Sequence, residues 1–203
     1  MIASSISSAP GAASPAPVSL PTILDGVRYE AAAFNELNRD LQGRVTLHYL
    51  LMPGESDILF AFTSAEGLKS FVAGRNERAV ARMGSHSAGR PLAARIANHG
   101  TCSGHQDART SIFYVDVNCS AVAGFGANAP WSNSDLTPLG FNDTIRSLTC
   151  AFDTTYTQYC VMYEHAGFQG ASLWVLPNGF YDNLATVGWA DRISSIILYA
   201  PAR

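Results

Sequence analysis

Two twelve-residue segments of this chain repeat one another at a distance of 48 positions. The first is Leu136-Thr-Pro-Leu-Gly-Phe-Asn-Asp143-Thr-Ile145-Arg146-Ser147, and the second is Leu184-Ala-Thr-Val-Gly-Trp-Ala-Asp191-Arg-Ile193-Ser194-Ser195. Leu, Gly, an aromatic residue, Asp, Ile and Ser recur in register. Such a period is a strong constraint, because one supersecondary unit with an unburied apolar face is not stable alone. Two such units facing one another bury that face and make a β-sandwich.

The stretch around the second copy reads as short strands. Cys160–Glu164, Leu173–Leu176 and Ile193–Tyr199 are rich in β-branched and aromatic residues. Gly167 and Gly170 precede the middle run, and Pro177-Asn178-Gly179 follows it, which supplies the turn chemistry strands need. Short strands packed into about forty residues with unequal connections fit a Greek key better than a meander.

The residue pattern here is Tyr163-Glu164, then Phe168-x-Gly170, Gly179-x-Tyr181-x-x-Leu184, Gly188 and Asp191-x-Ile193-Ser194-Ser195. It resembles the Greek-key motif of the βγ-crystallin superfamily in its microbial form. The resemblance implies one two-motif domain at residues 102–200. The first motif departs from the pattern: Phe113-Tyr-Val-Asp116 serves as its opening strand, but nothing after it copies Phe168-x-Gly170, and Trp131 stands where Gly179 would.

The same resemblance implies calcium as cofactor and partner. In that family the pattern is Asn/Asp-Asn/Asp-x-x-Ser/Thr-Ser in each motif, and the hydroxyl residue of one loop completes the site built on the other. Calcium takes six to eight oxygen ligands from carboxylates, carbonyls and hydroxyls. The first loop, Asn142-Asp143-Thr144-Ile145-Arg146-Ser147, has Arg146 in place of the hydroxyl residue. The second, Ala190-Asp191-Arg192-Ile193-Ser194-Ser195, has Ala190 in place of the first oxygen donor. If ligands are exchanged, both losses fall on the second, degraded site, built on Asp191 and Arg192. The other site keeps Asn142, Asp143, the Thr144 carbonyl and Ser194. The alternative is that both loops are turn hydrogen-bond networks, with Ser147 and Ser195 tying strands together.

Four cysteines, Cys102, Cys119, Cys150 and Cys160, lie in the repeated half and allow three pairings. The 48-residue offset maps Cys102 onto Cys150, which favours Cys102–Cys119 and Cys150–Cys160 over a cross-repeat pair. Free buried thiols are the competing reading, since no signal peptide is visible in the sequence. Paired cysteines would place the chain outside the cell or at its surface.

Ahead of the sandwich the chain changes character. Residues 1–21 carry no charge and are mostly Ser, Ala and Pro, a composition expected to stay flexible. Residues 22–74 read as a small α+β module. Val27–Tyr29 is a short strand, and Val45–Leu51 and Ile58–Thr63 form a hairpin across Pro53–Asp57. Thr63-Ser-Ala-Glu66 matches a capping box for a helix that carries Leu68, Phe71 and Val72 on one face and stops at Gly74. Residues 75–101 are an Arg-rich linker or helix, with Arg75, Arg78, Arg82, Arg90 and Arg95 against Glu77. The fold class expected is therefore mainly β: a C-terminal crystallin-type sandwich preceded by an α+β module and a flexible tail.

Several chemistries are disfavoured. A net charge of −3, and no aromatic residues among those arginines, argue against a nucleic-acid partner. No apolar run approaches the ~20 residues of a membrane helix. His99-x-x-Cys102-x-x-His105 lacks the paired elements of a structural zinc site. Gly124-Phe-Gly126 has no helix pattern after it, Glu164-His165 lacks the HExxH order, and no Gly-x-Ser-x-Gly elbow occurs. We therefore read the chain as noncatalytic and calcium-binding. Two alternatives use the same scaffold: a secreted proteinase inhibitor presenting the Ser120–Asp135 connection as a rigid loop to a secreted proteinase, and an antimicrobial or killer-toxin-like domain.

Overall fold

The computed structural model describes residues 17–52, 57–83, 102, 107–120, 123–153 and 159–200, with the backbone alone described at 75–83. In the second half the repeat becomes two interlocked Greek keys. The first contributes β5 (Thr110–Tyr114), β6 (Gly124–Asn128), β7 (Trp131–Asn133) and β8 (Ser147–Thr149). The second contributes β9 (Tyr159–His165), β10 (Gln169–Val175), β11 (Phe180–Tyr181) and β12 (Ser195–Tyr199). One sheet runs β11-β8-β5-β6 and the other contains β10-β9-β12-β7. The third strand of each key thus pairs in the sheet of the other, so neither key completes a sheet alone.

The equivalence of the copies extends to the backbone. Gly140 and Gly188 each close a short 3-10 turn in the left-handed region, at φ 75° and 71°. Asp143 and Asp191 follow at φ 52° and 56°. Leu136 and Leu184, and Ile145 and Ile193, are buried in one core with Phe113, Leu148, Leu173, Trp189 and Ile196. The Ser120–Asp135 connection, read above as a rigid loop, holds β6 and β7. Phe125 stacks on Phe113 at 5.1 Å and packs against Trp131 and Phe141, so an apolar cluster fixes this segment to the sandwich.

Both expected disulfides are present. Cys102–Cys119 spans 5.0 Å between Cα atoms and Cys150–Cys160 spans 6.3 Å. The second joins the end of β8 to β9, and therefore one sheet to the other. Cross-links closing loops this short stabilise a fold by roughly 2–3 kcal/mol each when unstrained.

The N-terminal residues continue the sandwich. β1 (Thr22–Leu24) and β2 (Val27–Tyr29) form a hairpin whose two-residue Asp25-Gly26 turn has positive φ at both positions, the backbone that Asp-Gly favours. After α1 (Ala31–Leu41), β3 (His48–Leu51) and β4 (Leu59–Phe62) pair antiparallel as expected. Their connection at 53–56 lies outside the described residues. β4 is parallel to β1, and β3 is parallel to β10, with His48–Leu51 opposite Ser172–Val175. One eight-stranded sheet results, in the order β2-β1-β4-β3-β10-β9-β12-β7. The sequence boundary between module and sandwich is thus not a boundary of the sheet. Nor is it one of the core, because Phe34, Leu47, Tyr49, Leu51 and Leu59 join the same cluster as Phe113 and Trp189.

Three sequence expectations need correction here. Residues 17–21 are not a loose tail: Val18 is buried, its N–H and C=O both bond the Asn35 amide, and the Ser19 N–H donates to Thr186 O at 2.8 Å. Residues 1–16 lie outside the described part. The second helix, α2 (Ala65–Met83), is capped by Ser64, whose Oγ accepts from the Gly67 N–H at 3.1 Å. Thr63 is taken elsewhere, since its hydroxyl and N–H both donate to the Asp25 carboxylate. Gly74 does not stop this helix, which continues to Met83. A helical glycine costs about 1 kcal/mol against alanine, but it ends a helix only when it turns left-handed, and Gly74 has no positive φ. The arginines of residues 84–101 lie outside the described residues.

The seam between β3 and β10 carries a partly buried polar contact. His48 Nδ1 lies 2.9 Å from Ser172 Oγ, which also accepts from Trp174 Nε1 at 3.0 Å. Burial, and then Lys69, push the His48 pKa below its ordinary value of 6.5. The fold therefore favours the neutral ring. That contribution to stability is complete above pH 6.5 and is lost as pH falls through the lower folded value. Thermal melts between about pH 8 and pH 5 should show this loss in the wild type and a smaller one in His48→Gln. Parallel curves for the two proteins would show that His48 does not couple the seam to pH.

Candidate metal site

The loops before β8 and β12 meet head to tail at one end of the sandwich. The Asp143 N–H donates to Ile193 O at 3.0 Å, and the Asp191 N–H donates to Ile145 O at 3.1 Å. This reciprocal pair brings residue 194 of one loop to Asp143 and residue 146 of the other to Asp191. The two junctions then differ in chemistry.

At the first junction, Ser194 Oγ lies 3.2 Å from Asp143 Oδ1 and 2.8 Å from the Glu164 carbonyl oxygen. A serine hydroxyl has one proton to donate. Two acceptors and the hydroxyl oxygen itself are therefore gathered around a single hydrogen. The other carboxylate oxygen, Asp143 Oδ2, accepts from Asn142 Nδ2 at 2.8 Å. Asn142, Asp143 and Ser194 are thus brought together. Thr144 stands beside them, with its hydroxyl turned to Phe141 O at 3.1 Å. Glu164 is the addition that sequence reasoning missed. It belongs to the Tyr163-Glu164 pair of the motif, but its role here comes from the main chain, which no side-chain pattern reveals.

At the second junction a cation is already supplied. Arg146 Nε lies 2.9 and 3.1 Å from the two Asp191 carboxylate oxygens. That carboxylate holds the guanidinium further above its ordinary range. Arg192, named with this loop, turns its side chain away to Glu164 Oε1 at 2.7 Å and Gly188 O at 2.6 Å.

Ser147 and Ser195 act differently from Ser194. The Ser195 hydroxyl donates to His165 O at 2.7 Å and accepts from the Phe168 N–H at 3.1 Å. The Ser147 hydroxyl donates to Asp116 O at 2.5 Å and accepts from the Cys119 N–H at 3.0 Å. Both tie their loop to the hairpin of the same key, which is the structural role weighed for them from sequence.

Among the described residues no group of three or more His, Cys, Asp or Glu side chains could hold a metal ion. A cation held here would rely on hydroxyl and carbonyl oxygens beside a single carboxylate, which suits a hard ion such as calcium and not zinc. Cys102 is committed to its disulfide, and His99 and His105 lie outside the described residues. The His48–Ser172 pair is no exposed nucleophile and base, because Ser172 is buried. Gly124 and Gly126 lie in strand β6, not in a phosphate loop. Among the described residues no helix is long and apolar enough to cross a membrane. A cleft of about 280 Å³ adjoins the first junction, lined by Asn38, Arg44 and Tyr49 of the N-terminal module and by Glu164, His165 and Arg192.

No family model and no curated protein matches this chain. Several solved structures do. A beta gamma crystallin from Ciona intestinalis is 28% identical, covering 44% of this chain and 98% of its own, with a TM-score of 0.35. A βγ-crystallin domain from Flavobacterium johnsoniae is 28% identical, covering 46% and 97%, with a TM-score of 0.34. One from Clostridium beijerinckii is 20% identical, covering 46% and 100%, with a TM-score of 0.37.

Proposed function

We propose that this protein is a noncatalytic crystallin-like protein that binds one calcium ion between its two Greek keys. Asn142, Asp143, the Thr144 carbonyl, Ser194 and the Glu164 carbonyl would hold the ion. The observation that carries this reading is the meeting of Ser194 Oγ, Asp143 Oδ1 and Glu164 O around one hydrogen. Three oxygens so placed leave lone pairs that a hard cation would satisfy. At the other junction Arg146 occupies Asp191 with a fixed positive charge, which opposes a second ion. A single carboxylate at the first site makes the affinity modest. Calcium here would lock the two keys together, and two disulfides are compatible with an extracellular location where calcium is abundant.

Isothermal titration with calcium is expected to give a stoichiometry of one. Binding should add ~2.7 kcal/mol of apparent stability at a hundredfold excess over the dissociation constant. Asp143→Ala should abolish both signals, whereas Asp191→Ala should keep most of the thermal shift. A stoichiometry of two would show that Arg146 yields its place to an ion. The absence of heat or shift at millimolar calcium would remove the calcium reading altogether.

A further inference from the structure

The proposed calcium junction lies against the N-terminal module, and a continuous chain of contacts joins them. Tyr49 of β3 packs edge-on against the buried indole of Trp189, at 5.9 Å between ring centres. On the same indole lies the Arg192 guanidinium, 5.2 Å from the ring centre. Arg192 is then held from two sides, by Gly188 O and by Glu164 Oε1. The other carboxylate oxygen of Glu164 lies 3.4 Å from the Ala171 N–H. Glu164 is thereby fixed at its side chain, while its carbonyl faces Ser194 and, through it, Asp143.

We infer that Arg192 is a positioning residue for the calcium junction, and that Tyr49 brings the N-terminal module into the same support. This rests on the calcium reading and extends it: the ion is held by the sandwich, but the orientation of one carbonyl donor is set from outside it. The physical reason is that a single main-chain oxygen can rotate away with its peptide plane. Anchoring the Glu164 side chain restricts that rotation. The Arg192–Glu164 pair is suited to this because both side chains are largely shielded, at 17% and 27% exposure, and Arg192 bonds at two points with a planar fork. Partners that orient a metal's ligands typically change affinity by ~10–100-fold when removed.

The test is calcium titration of the full chain beside thermal melting without calcium. Arg192→Gln should bind calcium at least about tenfold more weakly than the wild type. Arg192→Lys, which keeps the charge and one donor direction, should recover part of that loss. Tyr49→Leu should weaken binding, and Tyr49→Phe, which keeps the ring on Trp189, should not. Val72→Ala, in the apolar cluster under α2, serves as a variant that lowers stability without touching the chain of contacts. Its calcium affinity should equal that of the wild type. Unchanged affinity in Arg192→Gln overturns the inference while leaving the calcium reading intact. Equal weakening in Val72→Ala also overturns it, because general loosening would then explain the effect. A wild type that binds no calcium removes the calcium reading, and this inference falls with it.

Discussion

A fragment of residues 100–203, the crystallin-like half alone, is expected to lose cooperative folding. Three features of the N-terminal half lead to this result. First, β3 pairs with β10 from Ser172 to Val175, so its removal bares an apolar strand edge. Such edges are templates for association. Second, Leu47, Tyr49, Leu51, Leu59 and Phe34 leave the common core. Burying one large apolar side chain contributes about 1.5–3 kcal/mol, so losing several competes with the whole 5–15 kcal/mol stability of a typical domain. Third, Trp174 and Val161 lie on the outer face of the large sheet, in one cluster with Leu50, Phe60, Phe62, Leu68 and Val72. Without β3, β4 and α2 that face meets water. Circular dichroism with urea titration, alongside size-exclusion chromatography, reads the outcome. The expected fragment is aggregated or lacks a sharp transition. A monomer that unfolds cooperatively at a urea midpoint near that of the full chain would show that the sandwich is autonomous and that the N-terminal half is an accessory.

Sequence reasoning reached the repeated half most directly, because there local pattern and tertiary role coincide. Gly140 and Gly188, or Asp143 and Asp191, recur in register because each pair occupies one backbone conformation twice. The disulfides followed from the same register. In the first half the deciding contacts are long-range. His48 faces Ser172 across 124 positions, and nothing in Val45–Leu51 announces a partner. Helix α1 went unread because Phe34, Leu37 and Leu41 are a thin apolar stripe among Asn and charged residues, and Glu30 makes no side-chain cap. Competition for Thr63 between Asp25 and the helix start was invisible for the same reason, since Asp25 lies 38 residues away. At the site, Asp143 and Ser194 were legible as side chains in a pattern. The Glu164 carbonyl was not, because every residue has one.

Trp189→Ala should be among the most damaging single substitutions in this protein, at about 3–5 kcal/mol. Trp189 is fully buried and stands where the two halves meet: Tyr49 packs against it in a T-shaped contact, Arg192 lies over its ring, and Ile193 and Leu184 share its cluster. A cavity there would be lined by rigid strands and a 3-10 turn, which have little freedom to collapse into it. Truncation would also remove the surface on which the Arg192 guanidinium rests. Trp189→Phe is expected to behave differently. Among the described residues, the buried indole N–H has no hydrogen-bond partner. A buried unsatisfied donor carries a penalty of about 1–3 kcal/mol, and phenylalanine lifts it while keeping an aromatic face for Tyr49 and Arg192. Relief of that penalty should offset much of the lost area, leaving a net cost of roughly 1–2 kcal/mol. Urea unfolding of both variants, followed by circular dichroism so that loss of the indole does not remove the signal, separates the two effects. If Trp189→Phe were as destabilising as Trp189→Ala, the N–H would have to be bonded in solution, and the penalty assigned to it would be wrong. A small loss in Trp189→Ala would mean that the two halves do not meet on this ring.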